Sequence, residues 1–273
     1  MNGPLPEPTL SVFVFVVGLV LGSFLNVCIH RMPIGQSIAR PRSRCPSCAR
    51  PIPWFQNIPL VSWLALRGKC GGCGSRISVR YPFVEALSGV ALLALWRLFG
   101  PTAAFGISTA FALSMVVLFF TDYDHQLLPD AITLTGLGAG LLIAPANSFL
   151  GEGLSHRVWL AVAGAALGAG ILWSIGAVYT RIRGVEAMGM GDVKMMAMVG
   201  AFGGPVAVLF TLFVASIVGA VFGLALIPLR GRSISDALPF GCFLAPSALA
   251  ALLVGRRAVE AYVHYVRQVA GGG

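Results

Sequence analysis

The chain has 273 residues, of which 57% are hydrophobic and only 11% charged, and its mean hydropathy is +0.85. That balance excludes an ordinary water-soluble domain and requires a bilayer as solvent. The formal charge of +9 would suit nucleic acid, but it gathers in loops beside apolar runs, where topology and anionic lipid account for it, so nucleic acid is excluded as a partner.

In chain order, the first apolar run covers residues 10–29. No Lys or Arg precedes it and Arg31 follows at once, which reverses the charge order of a cleavable leader and predicts a retained helix. Nine basic residues then lie between Arg31 and Arg80, which places this segment on the cytoplasmic side. Further apolar runs follow at 82–99, 103–120, 131–146, 158–179, a short one at 193–202, then 205–229 and 240–254. Each is close to the roughly 20 residues that a spanning helix needs, or short of it. The thirty-four glycines fit closely packed membrane helices. The expected fold is therefore all-α and polytopic, with about eight transmembrane helices and a cytoplasmic loop after the first. Its expected parts are residues 1–30, a first transmembrane helix; 31–81, the loop; and 82–265, a helical bundle. Threading the spans puts residues 121–130 and 180–192 in the cytoplasm, in agreement with Arg181 and Arg183. Eight crossings return the C-terminus to the outside, against which Arg256, Arg257 and Arg267 argue.

The loop is too small for a large apolar core and needs a staple. Two C-x-x-C pairs, Cys45 with Cys48 and Cys70 with Cys73, supply the pattern of a four-thiolate zinc site. Disulfides are the competing reading, disfavoured in a reducing cytoplasm. A redox pair is a third, disfavoured by the presence of two pairs and no thioredoxin-like context. A closed set of four thiolates leaves no open coordination position, so the metal is expected to be structural. Cys28 and Cys242 fall inside apolar runs and read as packing residues.

Four of the five aspartates fall in two short segments, 121–130 and 189–192. Charge beside a membrane span is costly and usually functional. Two carboxylates brought together cannot both ionise; they share a proton, one acting as base on water and the other as acid toward a carbonyl. That is the chemistry of aspartic proteolysis, with Asp192 as one partner and Asp122 or Asp124 as the other. Asp130, after Pro129, is expected to cap the next helix. His125 reads as a solvated residue. Lys194 has two readings, a modulator of the neighbouring carboxylate or an interfacial anchor.

These residues, taken in order, resemble the bacterial type IV prepilin peptidases. The resemblance is carried by the run from Gly22 to Val27 with His30 and Arg31, the two C-x-x-C pairs, the stretches 57–63 and 77–82, the Asp122 to Asp130 run and Gly189 to Lys194. It implies an enzyme of the bacterial inner membrane, active site toward the cytoplasm. Such an enzyme removes the leader from prepilins and pseudopilins of type IV pilus and type II secretion systems after a glycine, then methylates the new N-terminus with S-adenosylmethionine. It further implies that the catalytic pair is Asp122 and Asp192, and it links Gly68 and Lys69 to methyl transfer, for which no glycine-rich strand-to-helix fingerprint gives independent support. A turn and an interfacial anchor are the competing readings of those two residues. Glu85, Glu186 and Asp124 are candidate guides for the basic leader. Two other functions use the same features: a cation-coupled membrane transporter binding its ion at the carboxylates, and an assembly factor docking partners through the zinc loop.

Overall fold

The computed structural model describes residues 8–184, 189–230, 239–255, 258 and 261, with backbone alone over 226–230. Glu186, Arg232, Arg256, Arg257 and Arg267 lie outside the described residues. Among the described residues eight α-helical elements follow one another: α1 (Pro8–Arg31), α2 (Val61–Ala65), α3 (Arg80–Phe99), α4 (Ala103–His125), α5 (Asp130–Ile143), α6 (Leu154–Arg183), α7 (Met190–Arg230) and α8 (Gly241–Ala250). Pairing of the β type is confined, among the described residues, to two isolated bridges in the cysteine loop.

Helices α1, α3, α4, α6 and α7 are long and apolar enough to cross a membrane, while Asp130–Ala146 and Gly241–Gly255 are shorter apolar helices. In hydrocarbon the backbone must satisfy its own hydrogen bonds, which is why apolar runs of this length become helices. The eight expected runs each become helix, and 193–202 and 205–229 are two helices that follow one another within α7 across a kink. The halves meet at Gly204, whose φ of 70° and ψ of −172° are not helical. Pro205 causes the break: it donates no N–H and disfavours helical geometry in the residue before it, and glycine alone adopts this φ without strain. Fully buried Asn147 repairs part of the damage by donating from Nδ2 to the Phe202 carbonyl at 2.8 Å. At the other extreme, α4 runs past its apolar stretch through Thr121 to His125, so that Asp122 lies at the end of a spanning helix. That continuation places Asp122 on a helix face.

The chain divides into two compact units at Val117 and Leu118, within α4. In the first unit α1 packs along α3. The helices approach closely because Gly18 lies against Gly89, and Gly22 against the backbone of Glu85. Val14, Leu92 and Trp96 form a core there, with Trp96 edge-on to Phe105 at 5.2 Å between ring centroids.

In the second unit α7 is the hub, with α6 as its most extensive partner and α5 and α8 also packed on it. Gly164 and Gly200 face each other so closely that a Cβ on either would overlap the other's backbone, and one on Gly168 would overlap the Met196 carbonyl. Small residues at four-residue spacing on facing helices gain dispersion contacts that side chains would prevent, the main attraction between helices in lipid. Replacing Gly200 by Leu should therefore separate α6 from α7. The expected loss is at least about 1–3 kcal/mol of stability, read as a lower unfolding midpoint of the purified protein in detergent, whereas the same change at Gly170, which has open space around it, should leave the midpoint nearly unchanged.

Candidate functional site

The cysteine loop in the first unit is built from two copies of one turn, offset by 25 residues. The first is closed by the bridge between Arg44 and Pro51 and the second by that between Lys69 and Arg76. In each, the first cysteine donates its N–H to a residue five positions on, Arg50 or Ser75. The residue after the second cysteine, Ala49 or Gly74, takes positive φ. This geometry turns both sulfurs of a pair to the same side.

The four sulfurs of Cys45, Cys48, Cys70 and Cys73 lie within 4.8 Å of one another, and those of Cys45 and Cys73 are 3.8 Å apart. Zinc–sulfur bonds of about 2.3 Å in a tetrahedron require sulfurs roughly 3.8 Å apart, so the donor set fits a tetrahedral metal. The surroundings favour the thiolate at two of the four, while the neighbouring sulfurs, Cys45 and Cys73, help push the Cys48 thiol up to about 11. A backbone N–H from Cys48, with the Ser75 hydroxyl, holds the Cys45 thiol well below its usual range, and Ser75 does the same for Cys73.

Gly68, whose φ is 66°, is buried beside this knuckle. Its N–H donates to Trp63 O at 2.8 Å, its carbonyl accepts from Ile77 N–H at 2.7 Å, and a Cβ here would stand 2.9 Å from the Trp63 ring. Both of its polar groups are thus used within the loop, and the space over it is taken. Lys69 is exposed. Glu85 faces inward: it is buried and accepts the Leu60 N–H at 2.9 Å, so its carboxylate is not displayed to a basic peptide.

The aspartates meet in the second unit. Because α4 stays helical to His125, Asp122 and Asp124 point about 200° apart around its axis. Asp122 is only 5% exposed, whereas Asp124 and His125 are exposed. Two residues that composition leaves equivalent are thereby separated. Asp192, in the first turn of α7, is partly buried and in electrostatic contact with Asp122. The first turn of α8 supplies the answering donors: Cys242 N–H donates to Asp122 Oδ2 at 3.0 Å, and the Gly241 N–H also serves that carboxylate. The first N–H groups of a helix have no partner within it, and the helix dipole adds positive potential at that end. Gly241 has no room for a side chain, since a Cβ would stand 2.8 Å from Asp122 Oδ2.

Leu128, buried in the link between α4 and α5, wedges between the helix starts. It would be 3.0 Å from a Cβ on Gly191 and 3.2 Å from one on Gly241. Cys242 is buried, as expected of a packing residue, and its thiol donates to Phe119 O. Its backbone contact with Asp122 has no sequence signature beyond Pro239 and Gly241, which mark a helix start.

Asp130 does not cap α5. Pro129 holds the N-cap position, and the Asp130 carboxylate instead receives both hydrogen bonds of a forked contact from Lys194 Nζ, at 2.7 and 2.8 Å. The ammonium two residues beyond Asp192 outcompetes the helix's own amides. Lys194 thus ties the start of α7 to the start of α5, a third role beside the two expected of it.

The fold and this site define a class: a multi-pass helical membrane protein with two neighbouring aspartates at helix ends and a four-cysteine knuckle. A model of the bacterial peptidase A24 N-terminal domain matches residues 16–99, and one of the type IV leader peptidase family matches residues 109–224. A prepilin leader peptidase/N-methyltransferase of Stutzerimonas stutzeri is 39% identical over 92% of this chain and 93% of its own. Proteins of the same description from Myxococcus xanthus and Pseudomonas aeruginosa are 44% identical over 83% of this chain and 66% of their own, and 36% identical over 92% of both, respectively. No solved structure matches the chain. The chain belongs to the type IV leader peptidase family.

Two measurements follow from this geometry. Elemental analysis of purified Cys45→Ser, Cys48→Ser protein should show loss of the metal carried by wild type; undiminished metal would refute the four-thiolate site. Asp130→Asn should change stability by less than about 1 kcal/mol, because the pair with Lys194 is partly solvated, as read from unfolding midpoints.

Proposed function

We propose that this protein is an aspartic endopeptidase of the bacterial inner membrane that cleaves the leader from prepilins and pseudopilins after a glycine, on the cytoplasmic face, using Asp122 and Asp192. We propose further that it methylates the new N-terminus. The activities for which its relatives are named support both. The single observation that carries the peptidase reading is a buried carboxylate, Asp122, seated on backbone N–H donors and in electrostatic contact with a second carboxylate, Asp192.

Hydrolysis at such a pair needs one proton shared between two carboxyl groups. The Cys242 and Gly241 N–H groups stabilise negative charge on Asp122, so the proton is assigned to Asp192. Asp122 then takes a proton from the attacking water, while Asp192 donates its own to the scissile carbonyl. The tetrahedral adduct collapses with transfer of a proton to the leaving amine. Asp192 lies in the first turn of α7 and Asp122 in the last turn of α4. The carboxylates thus sit at helix ends, where water enters from one side and the bond beside a substrate's own membrane helix would be presented.

Cys45, Cys48, Cys70 and Cys73 would hold a zinc ion that would close the knuckle, with no open coordination position for the hydrolysis. The division into a first helix (1–30), a zinc loop (31–81) and a peptidase bundle (82–265) belongs to this proposal. For S-adenosylmethionine, Gly68 does not fit as a direct contact, since its backbone groups are already paired and Trp63 covers it. Its contribution to methyl transfer is to hold the turn that carries Lys69, whose exposed ammonium suits the donor's carboxylate. The cation-transport alternative gains no support. The break in α7 at Gly204 is twelve residues from Asp192, about 18 Å along a helix, whereas transporters place unwound backbone at the ion.

Incubating purified protein with a prepilin tests the reading. Asp122→Ala and Asp192→Ala should each lower leader cleavage by about 10²–10⁴-fold, and full cleavage by either would overturn the assignment. Gly241→Ala, whose methyl group would press on the Asp122 carboxylate, should lower kcat by about 10²-fold with KM little changed, as a displacement of about 1 Å at a reacting group does.

A further inference from the structure

The short helix α2 and the residues leading into it are built inside out. Ser62 is buried, its Oγ donating to Phe55 O at 2.9 Å and accepting from Ile58 N–H at 3.0 Å. The apolar side chains point the other way: Trp54 is 82% exposed and Leu64 67%, with Phe55, Ile58 and Val61 exposed as well. Trp54 and Phe55 form an edge-on pair with centroids 6.0 Å apart, so these rings are organised rather than loose. A water-facing segment would invert this pattern, because exposed apolar area costs free energy in water and gains it in lipid.

Two further observations say what covers the patch. Its start is fastened to α3 by the hydrogen bond from Leu60 N–H to Glu85 Oε2 at 2.9 Å. Glu85 is five residues into a helix long and apolar enough to cross a membrane, about 7.5 Å along its axis. The patch is therefore held beside a spanning helix at the level of the headgroup and acyl boundary. The surrounding loop is also charged to match. Residues 31–80 contain nine Lys and Arg and no Asp or Glu, so they carry the whole formal charge of +9, and the ten basic and ten acidic residues elsewhere cancel. Basic residues at a membrane surface attract anionic lipid, and tryptophan prefers the interface.

We propose that the segment 54–65 is a membrane-interfacial anchor. Trp54, Phe55, Ile58, Val61 and Leu64 dip into the leaflet at the Arg31 and Arg80 end of α1 and α3, and the arginines around them engage anionic headgroups. The zinc knuckle is then held flat on the bilayer rather than free in solution. This rests on α1 and α3 crossing a bilayer and is independent of the proposed peptidase chemistry.

The test uses the full chain reconstituted in vesicles of phosphatidylcholine and phosphatidylglycerol, with or without lipid brominated on the acyl carbons nearest the headgroup. The emission of Trp54, one of five tryptophans, is obtained as the difference between wild type and Trp54→Tyr. At interfacial depth it should be blue-shifted and lose roughly half or more of its intensity to the brominated lipid. Red-shifted, unquenched emission would overturn the proposal by showing a water-exposed ring. Blue-shifted but unquenched emission would overturn it in favour of a protein partner or a second copy. Should Trp54→Tyr lose its metal, and so its fold, the readout becomes the added emission of Leu64→Trp, to which the same outcomes apply. Leader cleavage is not measured, so failure of this proposal and failure of the peptidase assignment are distinguishable.

Discussion

A carboxylate buried in a helix bundle persists only where something answers its charge, and at Asp122 the answer is the start of α8. Cys242 N–H is one of the donors that every helix leaves unused in its first turn, and it lies 3.0 Å from Asp122 Oδ2. Several features of the second unit depend on that contact. It requires α4 to remain helical past its apolar stretch, so that residue 122 turns inward. It also requires a glycine at 241, where a side chain would displace the carboxylate. Leu128 then fills the gap between the starts of α7 and α8 and brings Asp192 within electrostatic range.

The second unit is held rigid behind this contact by economies of space. Facing glycines let α6 and α7 approach to backbone contact, and α7 in turn carries α5 and α8. Where α7 breaks at Gly204, Asn147 gives the freed Phe202 carbonyl a partner, so the irregular backbone carries part of its own compensation. The forked contact of Lys194 with Asp130 ties the first turn of α7 to that of α5. A carboxylate in the first turn of a helix would otherwise be subject to fraying. Here the end is secured by an ion pair on one side and a wedged leucine on the other.

The first unit follows a different economy. Its loop has little apolar core, and its order comes from two matched turns that bring four sulfurs together. Gly68, Trp63 and Ile77 extend that order by a short ladder of backbone and side-chain contacts, and Glu85 fastens the preceding segment to α3. The buried position of Glu85 shows how a charge that reads as a surface guide in sequence becomes an internal fastener when a backbone N–H is left unpaired nearby.

Hydropathy and spacing determined much of this protein without coordinates. Apolar runs long enough to span a bilayer have no stable alternative to the helix, so the all-α fold, the break at Gly204-Pro205 and the approximate ends of each span were legible. Two C-x-x-C pairs were also legible as one thiolate cluster, because local turns dictate where their sulfurs point. Composition and spacing leave Asp122 and Asp124 equivalent, and only the family resemblance favoured Asp122. The tertiary structure supplies the physical reason, since the continuation of α4 turns Asp122 inward and Asp124 outward. Asp130 went to Lys194 instead of its own helix, and Cys242 joined the site through a backbone N–H that no side-chain pattern encodes. Local periodicity records what a segment must bury, whereas a partner 120 residues away is chosen by the packing of whole helices.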